Sequence, residues 1–224
     1  MISPFAIDPY LSSHFPSPEQ LQAALTKAPR LASQIVARLW LTEGIPAAFL
    51  SSPYVYEDLR GWLSSRLNVH PKEVTLIGSA RIGYSLAPPP AFGRQFRASS
   101  DLDLSIVSDD LFQRVAAAST QFSVDFRAGS VAANRQDERD RWESNIAFIE
   151  RNLSRGFVDP NKLPNLDRYP VIQQVGQAMW LLKKKLEVTP GAPRVRRAST
   201  RVYRDWRSFI ERVSFNLRSA MRML

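Results

Sequence analysis

The sequence predicts an α+β protein, in which helices flank a small mixed β-sheet and the C-terminal half is helical. Two observations lead to this prediction. Apolar residues recur at helical spacing near both ends of the chain. Short apolar runs typical of strands lie between them, separated by a small-residue turn and a proline-rich loop. The 224 residues are enough for one large domain or two small ones with a real core.

The first part of the chain is predicted to be helical. A Pro/Ser-rich arm, residues 1–18, precedes a helix to about Leu41, because Leu21, Leu25 and Ile35 fall on one face. Ile45-Pro46 breaks this pattern. Ser51-Ser52-Pro53 then signals a second helix over residues 54–67.

The middle of the chain alternates strands with helices. Apolar composition predicts strands at residues 74–77 and 102–107, and a short alternating segment indicates a third at 122–126. Between them we expect a turn into a short helix at 78–85, a loop at 87–98 and a helix at 111–119.

Helical spacing returns in the last third. We expect helices at residues 134–152, 171–186 and 200–224, with a loop at 156–170. The predicted domains are a helical N-terminal region (1–70), a core (71–133) and a basic helical region (134–224).

Composition excludes several classes of site. The chain has no cysteine, so disulfides, zinc-thiolate sites and thiol nucleophiles are ruled out, and a reducing cytoplasm is expected. His14 and His70 are too few for a histidine metal cage. No apolar run reaches the roughly 18 residues that span a bilayer, and the N-terminus lacks the features of a secretory signal, so we expect no membrane partner.

Positive charge is concentrated at the C-terminal end. Residues 183–224 contain 12 Lys/Arg against 3 Asp/Glu, while the preceding residues carry 18 of each. Such a basic segment favours a phosphate-rich partner such as RNA. The alternative is a solvated helix face. In residues 196–206, arginines are interleaved with Tyr203 and Trp206, a mixture that can bind RNA phosphates and stack on bases. The alternative is that both rings pack against the body of the protein and the arginines are solvated.

Two acidic residues alternate with leucine on the second predicted strand. Side chains two positions apart on a strand point to the same side, so Asp101 and Asp103 share one face while Leu102 and Leu104 pack on the other. Neighbouring carboxylates repel each other unless a cation compensates their charge. Mg²⁺ prefers oxygen ligands and commonly takes one or two carboxylates together with substrate phosphates. The pair therefore predicts a magnesium site.

Gly78-Ser79 follows the first predicted strand. Glycine permits unusual backbone angles and leaves room for an incoming group. A turn into a helix aims free N–H groups at an anion, and the Ser79 hydroxyl can donate to a phosphate oxygen. Arg81 is close enough in sequence to assist. The two motifs thus predict complementary parts of one site for a metal-bound triphosphate.

The segments IGSARIGYS and SSDLDLSIV together resemble the nucleotidyltransferase superfamily, which includes DNA polymerase beta, minimal nucleotidyltransferases and bacterial cyclic-oligonucleotide synthases. The resemblance covers residues 74–126, about a quarter of the chain. It implies a small mixed sheet, an NTP substrate and Mg²⁺. Gly78 and Ser79 would take the phosphate role, and Asp101 and Asp103 the metal role. The spacing from Ser79 to Asp101 is longer than in the minimal members, and a loop with Arg94 and Arg97 fills it.

The resemblance also implies a third acidic residue, on a neighbouring strand, that activates the attacking hydroxyl. Asp125 is the best candidate, and Asp159 is the rival, although its context is that of a loop or helix cap. Lys183–Lys185 lie in a region from which family members often draw a phosphate-binding residue. If neither Asp125 nor Asp159 lies beside Asp101 and Asp103 as the third acid, nucleotide binding without turnover is the alternative.

The expected activity is transfer of a nucleoside monophosphate from an NTP to an acceptor, with release of pyrophosphate. The basic C-terminal part favours an RNA acceptor, such as a tRNA 3′ end modified by a toxin of this superfamily. A second-messenger oligonucleotide synthase of an antiviral defence system and transfer to a protein side chain are the other enzymatic alternatives.

Overall fold

A computed structural model describes residues 9–13, 15–39 and 41–222 of the chain. His14, Trp40, the first eight residues of the predicted arm and the last two of the predicted final helix lie outside the described residues. The structure confirms the α+β class, with a four-stranded mixed sheet and a helical C-terminal half. No helix in the described ranges has both the length and the apolar character needed to cross a bilayer.

The N-terminal part contains three α-helices: α1 (Pro18–Lys27), α2 (Pro29–Arg38) and α3 (Pro53–Leu67). The single helix predicted up to Leu41 is therefore wrong, whereas the predicted helix over 54–67 is confirmed. Pro29 breaks the first helix because proline lacks an N–H and disfavours helical geometry in the preceding residue. Ala28 accordingly has φ −140° and ψ 69°.

The sheet is assembled from strands far apart in sequence. Its strands are β1 (Val74–Ile77), β2 (Asp101–Val107), β3 (Phe157–Val158) and β4 (Arg197–Tyr203), in the order β1-β2-β4-β3. β2 is antiparallel to β1 and parallel to β4, and β3 is antiparallel to β4. β1 and β2 are confirmed as predicted, and the sheet draws on residues from both 71–133 and 134–224.

The remaining helices are α4 (Ser79–Ile82), α5 (Asp109–Arg127), α6 (Gln136–Ser154), α7 (Pro170–Val188) and α8 (Trp206–Met221). The predicted strand at 122–126 is wrong, because these residues continue α5. Phe122 and Phe126 lie one helical turn apart and both pack edge-on against Trp142 of α6. The alternation of five residues resembled a strand because it is too short to separate period two from helical spacing.

The predicted helix over 200–224 is also wrong in its first part. Residues 197–203 form β4, where Ala198, Thr200 and Val202 are buried and alternate with polar residues. The helix begins only after Asp205, whose carboxylate accepts a 2.7 Å hydrogen bond from the Ser208 N–H.

The two faces of the sheet are covered by different helices. One face packs into a core with α3, α5, α6 and α7, and Thr200 is the polar residue buried on it. Its apolar strand residues are Val74, Leu76, Leu102, Leu104, Ile106, Val158, Ala198 and Val202. The other face contributes only Val107, Tyr203, Phe157 and, at its margin, Ile77 to a second core with α1, α2, α4 and α8. The rest of this second face is polar and carries the acidic pair.

Candidate active site

The acidic pair lies at the start of β2 on the polar part of the second face. Asp101 and Asp103 alternate with Leu102 and Leu104, and both leucines are buried in the first core. The two carboxylates therefore project from the same face of the sheet, as the sequence predicts. In the register with β4, they lie opposite Arg197 and Ser199.

Asp103 is the more enclosed of the two acids. The Ser199 hydroxyl donates a 2.8 Å hydrogen bond to its Oδ1. Burial raises the pKa of Asp103, and the negative charge of Asp101 adds to the rise. The carboxylate would therefore gain from a cation placed beside it.

Asp101 has a different environment, because two arginines clamp it. Arg196 forms a bidentate pair with it, at 2.9 Å from Nε to Oδ1 and 3.0 Å from Nη2 to Oδ2. Arg197 Nη2 adds a 3.2 Å bond to Oδ2. The hydrogen bond from Arg196 is the main cause that lowers the pKa of Asp101. Both arginine side chains are more than 60% exposed, so the clamp is open to exchange with solvent ligands.

Gly78 brings the turn after β1 close to Asp103. Its φ of +67° and ψ of −150° lie in a region that only glycine adopts readily. A Cβ atom at this position would come within 3.3 Å of Asp103 Oδ2. Glycine is thus required both by the backbone angles and by the close approach to the carboxylate. The turn at Gly78 therefore lies next to Asp103, the inner member of the acidic pair.

Ser79 is the first residue of the four-residue helix α4. Its side chain is half-buried, and its hydroxyl has no hydrogen-bond partner among the described residues. It is therefore able to donate to a ligand at the turn.

Arg81 does not lie with these groups. It is 2% exposed, and its Nη1 donates a 2.7 Å hydrogen bond to the carbonyl of Gly44, in the segment between α2 and α3. Burial lowers its pKa, and the negative charge of Glu43 opposes this shift. Arg81 therefore anchors α4 to the N-terminal region, and the structure does not bring it to the acidic pair.

Asp125 is also held elsewhere. It lies on α5 rather than on a strand, and it accepts hydrogen bonds from the Tyr169 hydroxyl (2.8 Å) and Gln121 Nε2 (2.9 Å). Arg168 Nε lies 3.7 Å from its carboxylate. These bonds lower the pKa of Asp125, that of Tyr169 being the main cause. Asp125 thus joins α5 to the start of α7 instead of completing a set with Asp103.

Asp159, the rival candidate, shares a cleft with Asp103. The cleft has a volume of about 700 Å³ and lies beside β2 and β4, the segment 159–165 and the first half of α7. Arg201 holds Asp159 through two hydrogen bonds, one of them 3.1 Å from Nη2 to Oδ2. Asp159 was the second choice for the third acid because the strand before it, β3, has only two residues and cannot be recognised from a sequence pattern.

Sequence reasoning missed the polar side of β4. Arg197, Ser199 and Arg201 line the cleft, and the register places them beside the acidic strand. The signal was the alternation in RASTRVY, which has a period of two. The lysines of α7 do not line this cleft. Lys183 and Lys184 pair with Glu187, and Lys185 lies 5.4 Å from the ring centre of Trp62.

Asp101 and Asp103 offer carboxylate oxygens, the donor type that a divalent cation such as Mg²⁺ prefers. Within the described ranges, no three or more His, Asp or Glu residues come together in a way that could hold a metal. Two carboxylates on one face nevertheless satisfy the minimum that Mg²⁺ takes from a protein when phosphates and waters complete its shell. The residues present thus fit one magnesium ion brought in with a nucleotide.

Comparison with known proteins gave no further information, because no protein-family model, no curated protein and no solved structure matches the chain.

Proposed function

We propose that the protein is a magnesium-dependent nucleotidyltransferase, which moves a nucleoside monophosphate from an NTP to an acceptor hydroxyl. The observation that carries the proposal is the close approach between Gly78 and Asp103, with Asp101 on the same face of the sheet. This arrangement puts oxygen ligands for a cation next to a turn that can receive phosphate.

Asp101 and Asp103 would hold the magnesium ion. When bound, Mg²⁺ supplies positive charge that neutralises the phosphates and the departing pyrophosphate. The Ser199 hydroxyl fixes the orientation of Asp103 through its 2.8 Å hydrogen bond. Much of the rate enhancement would then come from positioning and charge neutralisation.

Gly78 and Ser79 would contact the β- and γ-phosphates. The absence of a side chain at Gly78 leaves space next to Asp103, and the Ser79 hydroxyl can donate a hydrogen bond. Arg196 and Arg197 are suited to the same ligand. Both are exposed, and a guanidinium that pairs with a carboxylate pairs equally well with a phosphate.

Asp159 would accept the proton of the acceptor hydroxyl. It is the carboxylate that shares the cleft with Asp103, and Arg201 orients it through two hydrogen bonds. Base catalysis requires a carboxylate within hydrogen-bond reach of the hydroxyl, directly or through one water. The cleft is the place where an acceptor would have to bind.

A second function, nucleotide or RNA binding without turnover, is favoured by one specific observation. Both oxygens of Asp101 already accept hydrogen bonds from Arg196 and Arg197. If this clamp does not open, Asp101 cannot ligate a metal, and a bound nucleotide would remain intact.

An assay with α-³²P-labelled NTPs tests the proposal. Each NTP is incubated with Mg²⁺, with and without tRNA. Label on RNA identifies an RNA acceptor, a small cyclic product identifies an oligonucleotide synthase, and label on protein identifies a side-chain acceptor. NTP binding with no transfer in any reaction would contradict the proposal and support the binding function.

The double change Asp101→Ala with Asp103→Ala should reduce transfer by more than about a hundredfold, because the metal contributes several kcal/mol of transition-state stabilisation. The cooperative thermal melt should be kept, since the change removes mutual repulsion. The control Asp137→Ala with Asp140→Ala removes two exposed carboxylates from α6 and should leave the rate unchanged. Loss of the cooperative melt would instead show that the acidic pair is structural.

A further inference from the structure

Two guanidinium groups lie against one buried ring at the edge of the sheet. The Cζ atoms of Arg201 and Arg212 lie 5.0 and 4.9 Å from the ring centre of Phe157, which is 1% exposed. Arg201 belongs to the cleft that contains Asp103 and Asp159. Arg212 belongs to α8. Phe157 therefore connects the cleft to a second group of basic residues.

Arg212 lacks the partners that a half-buried arginine normally has. Within the part of the chain that the structure describes, it forms no salt bridge, and its Nε is buried without a hydrogen bond. Burial is the main cause that lowers its pKa, and the positive charges of Arg201 and Arg155 lower it further, whereas the negative charge of Asp159 opposes the shift. A buried donor without an acceptor costs free energy, so an anion at this position would be stabilising.

The open side of Arg212 faces a pocket of about 360 Å³. The pocket is lined by Ser154, Arg155, Ser208, Glu211, Arg212 and Phe215. The Arg155 side chain has no acceptor among the described residues either. Glu211 does not neutralise these arginines, because its carboxylate pairs with Arg207, 3.0 Å from Nε to Oε1. Among the described residues, neither Arg155 nor Arg212 forms a salt bridge, so the pocket presents two guanidinium groups that are not paired with a carboxylate.

Phe215 adds an aromatic surface to the pocket. Its side chain is 53% exposed, and the Cζ of Arg212 lies 5.6 Å from its ring centre. Arginine beside an exposed aromatic ring is the combination by which proteins bind single-stranded nucleic acid: the cation contacts a phosphate and the ring stacks on a base.

We propose that Arg155 and Arg212 form a phosphate-binding site for a single-stranded RNA acceptor, with a base stacked on Phe215. The inference rests on the proposed function, since it names the acceptor of the same reaction. Arg201, which lines the cleft, and Arg212, which lines the pocket, contact the same Phe157 ring, so the proposed RNA site is a neighbour of the cleft. The basic charge of residues 183–224 is consistent with such a partner.

RNA binding measured without catalysis tests this site. A fluorescein-labelled 12-nucleotide RNA is titrated in EDTA without NTP, and anisotropy is followed at several salt concentrations. Arg155 is exposed, so Arg155→Ala should fold normally. It should weaken binding roughly three- to tenfold and reduce the slope of log K against log salt by about 0.7, the value for one phosphate contact on a single strand. Phe215→Ala should weaken binding with no change in the slope.

The matched control is Arg135→Ala with Arg139→Ala, at the opposite end of α6 from Arg155. It removes two exposed arginines that already pair with Asp137 and Glu143. If the control weakens binding as much as Arg155→Ala, if Arg155→Ala has no effect, or if the wild-type chain does not bind the RNA, the proposal is overturned.

Melts with inorganic phosphate show whether the pocket binds a free phosphate ion or the phosphate of a nucleic acid. If phosphate raises the Tm of the wild-type chain but not of Arg155→Ala, while RNA affinity is equal in both, the pocket takes a free phosphate and the RNA assignment is wrong. Failure of the proposed transfer gives a different result. RNA binding would still depend on Arg155, but no label would move from the NTP.

Discussion

The two faces of the sheet differ in what they contribute to the protein. One face is apolar except for the buried Thr200 and is sealed by α3, α5, α6 and α7. The other is apolar only around Val107, Tyr203 and Phe157, where α1, α2, α4 and α8 cover it. Its remaining part carries Asp101, Asp103 and the polar side chains of β4. The folding energy therefore comes from the covered regions, and the polar part is available for a ligand.

The comparison also distinguishes the acidic residues. Asp125 sits among aromatic residues, and its Tyr169 hydrogen bond joins two helices. Asp103 lies on the polar part of the second face, between Ser199 and the turn at Gly78, and burial raises its pKa. A carboxylate whose hydrogen-bond partners lower its pKa stabilises the fold. A carboxylate whose pKa is raised by burial is instead a candidate for metal binding or catalysis.

The largest change in the free energy of unfolding is expected from a substitution on the apolar face. Leu102 lies between Asp101 and Asp103 in the sequence, but its side chain is fully buried on the other face. Leu102→Ala should therefore lower the free energy of unfolding by about 2–5 kcal/mol. Asp101→Ala, one residue away on the open face, should change it by less than about 1 kcal/mol, because exposed arginines form its ion pairs. Urea titration measures both. Similar losses for the two variants would remove the distinction between the faces.

A smaller loss of stability is expected from a substitution at Gly78, in the turn after β1. Gly78→Ala forces a side chain into φ +67° and against Asp103, so it should cost about 1–3 kcal/mol and weaken NTP binding. Gly61→Ala is the control, since a Cβ there meets nothing within 4 Å and the residue lies within α3. That change should stabilise the protein by about 0.5–1 kcal/mol. A Gly78→Ala protein with unchanged stability and nucleotide affinity would show that the close approach has no importance.

The smallest expected effect is a gain in stability, from Asp103→Asn. Because burial raises the pKa of Asp103 in the folded chain, stability is lost as the pH rises through that raised value. Asp103→Asn cannot ionise, and its Oδ1 can still accept the Ser199 hydroxyl hydrogen bond. Its Tm should exceed that of the wild-type chain by a few degrees at pH 7, and the difference should vanish below about pH 4, the ordinary value for aspartate.

Thermal melts across this pH range check the result. Asp110→Asn, which alters an exposed acid paired with Arg114, is the control and should show no gain at pH 7. A lower Tm for Asp103→Asn at neutral pH would indicate that the Asp103 carboxylate stabilises the fold.

The sequence predicted the parts of the site that depend on local patterns. β1, β2, the turn at Gly78 and the shared face of Asp101 and Asp103 follow from apolar runs, a glycine and a period of two. Asp125 was misplaced because five alternating residues at the end of α5 also match a helical face. Arg196, Arg197 and Ser199 were missed because their position depends on β4 pairing with β2, about 95 residues earlier in the chain. Local sequence patterns carry no information on such a pairing.

β4 is inserted between β2 and β3, although it follows both in the chain. A ribosome therefore releases the two outer parts of the sheet before the strand that joins them. Until residues 197–203 have emerged, β2 lacks a neighbour on that side and Asp103 lacks its Ser199 partner. The nascent chain accordingly cannot assemble the cleft early, and any protein terminated before Arg196 would lose one of the sheet's two interior strands together with both arginines of the clamp.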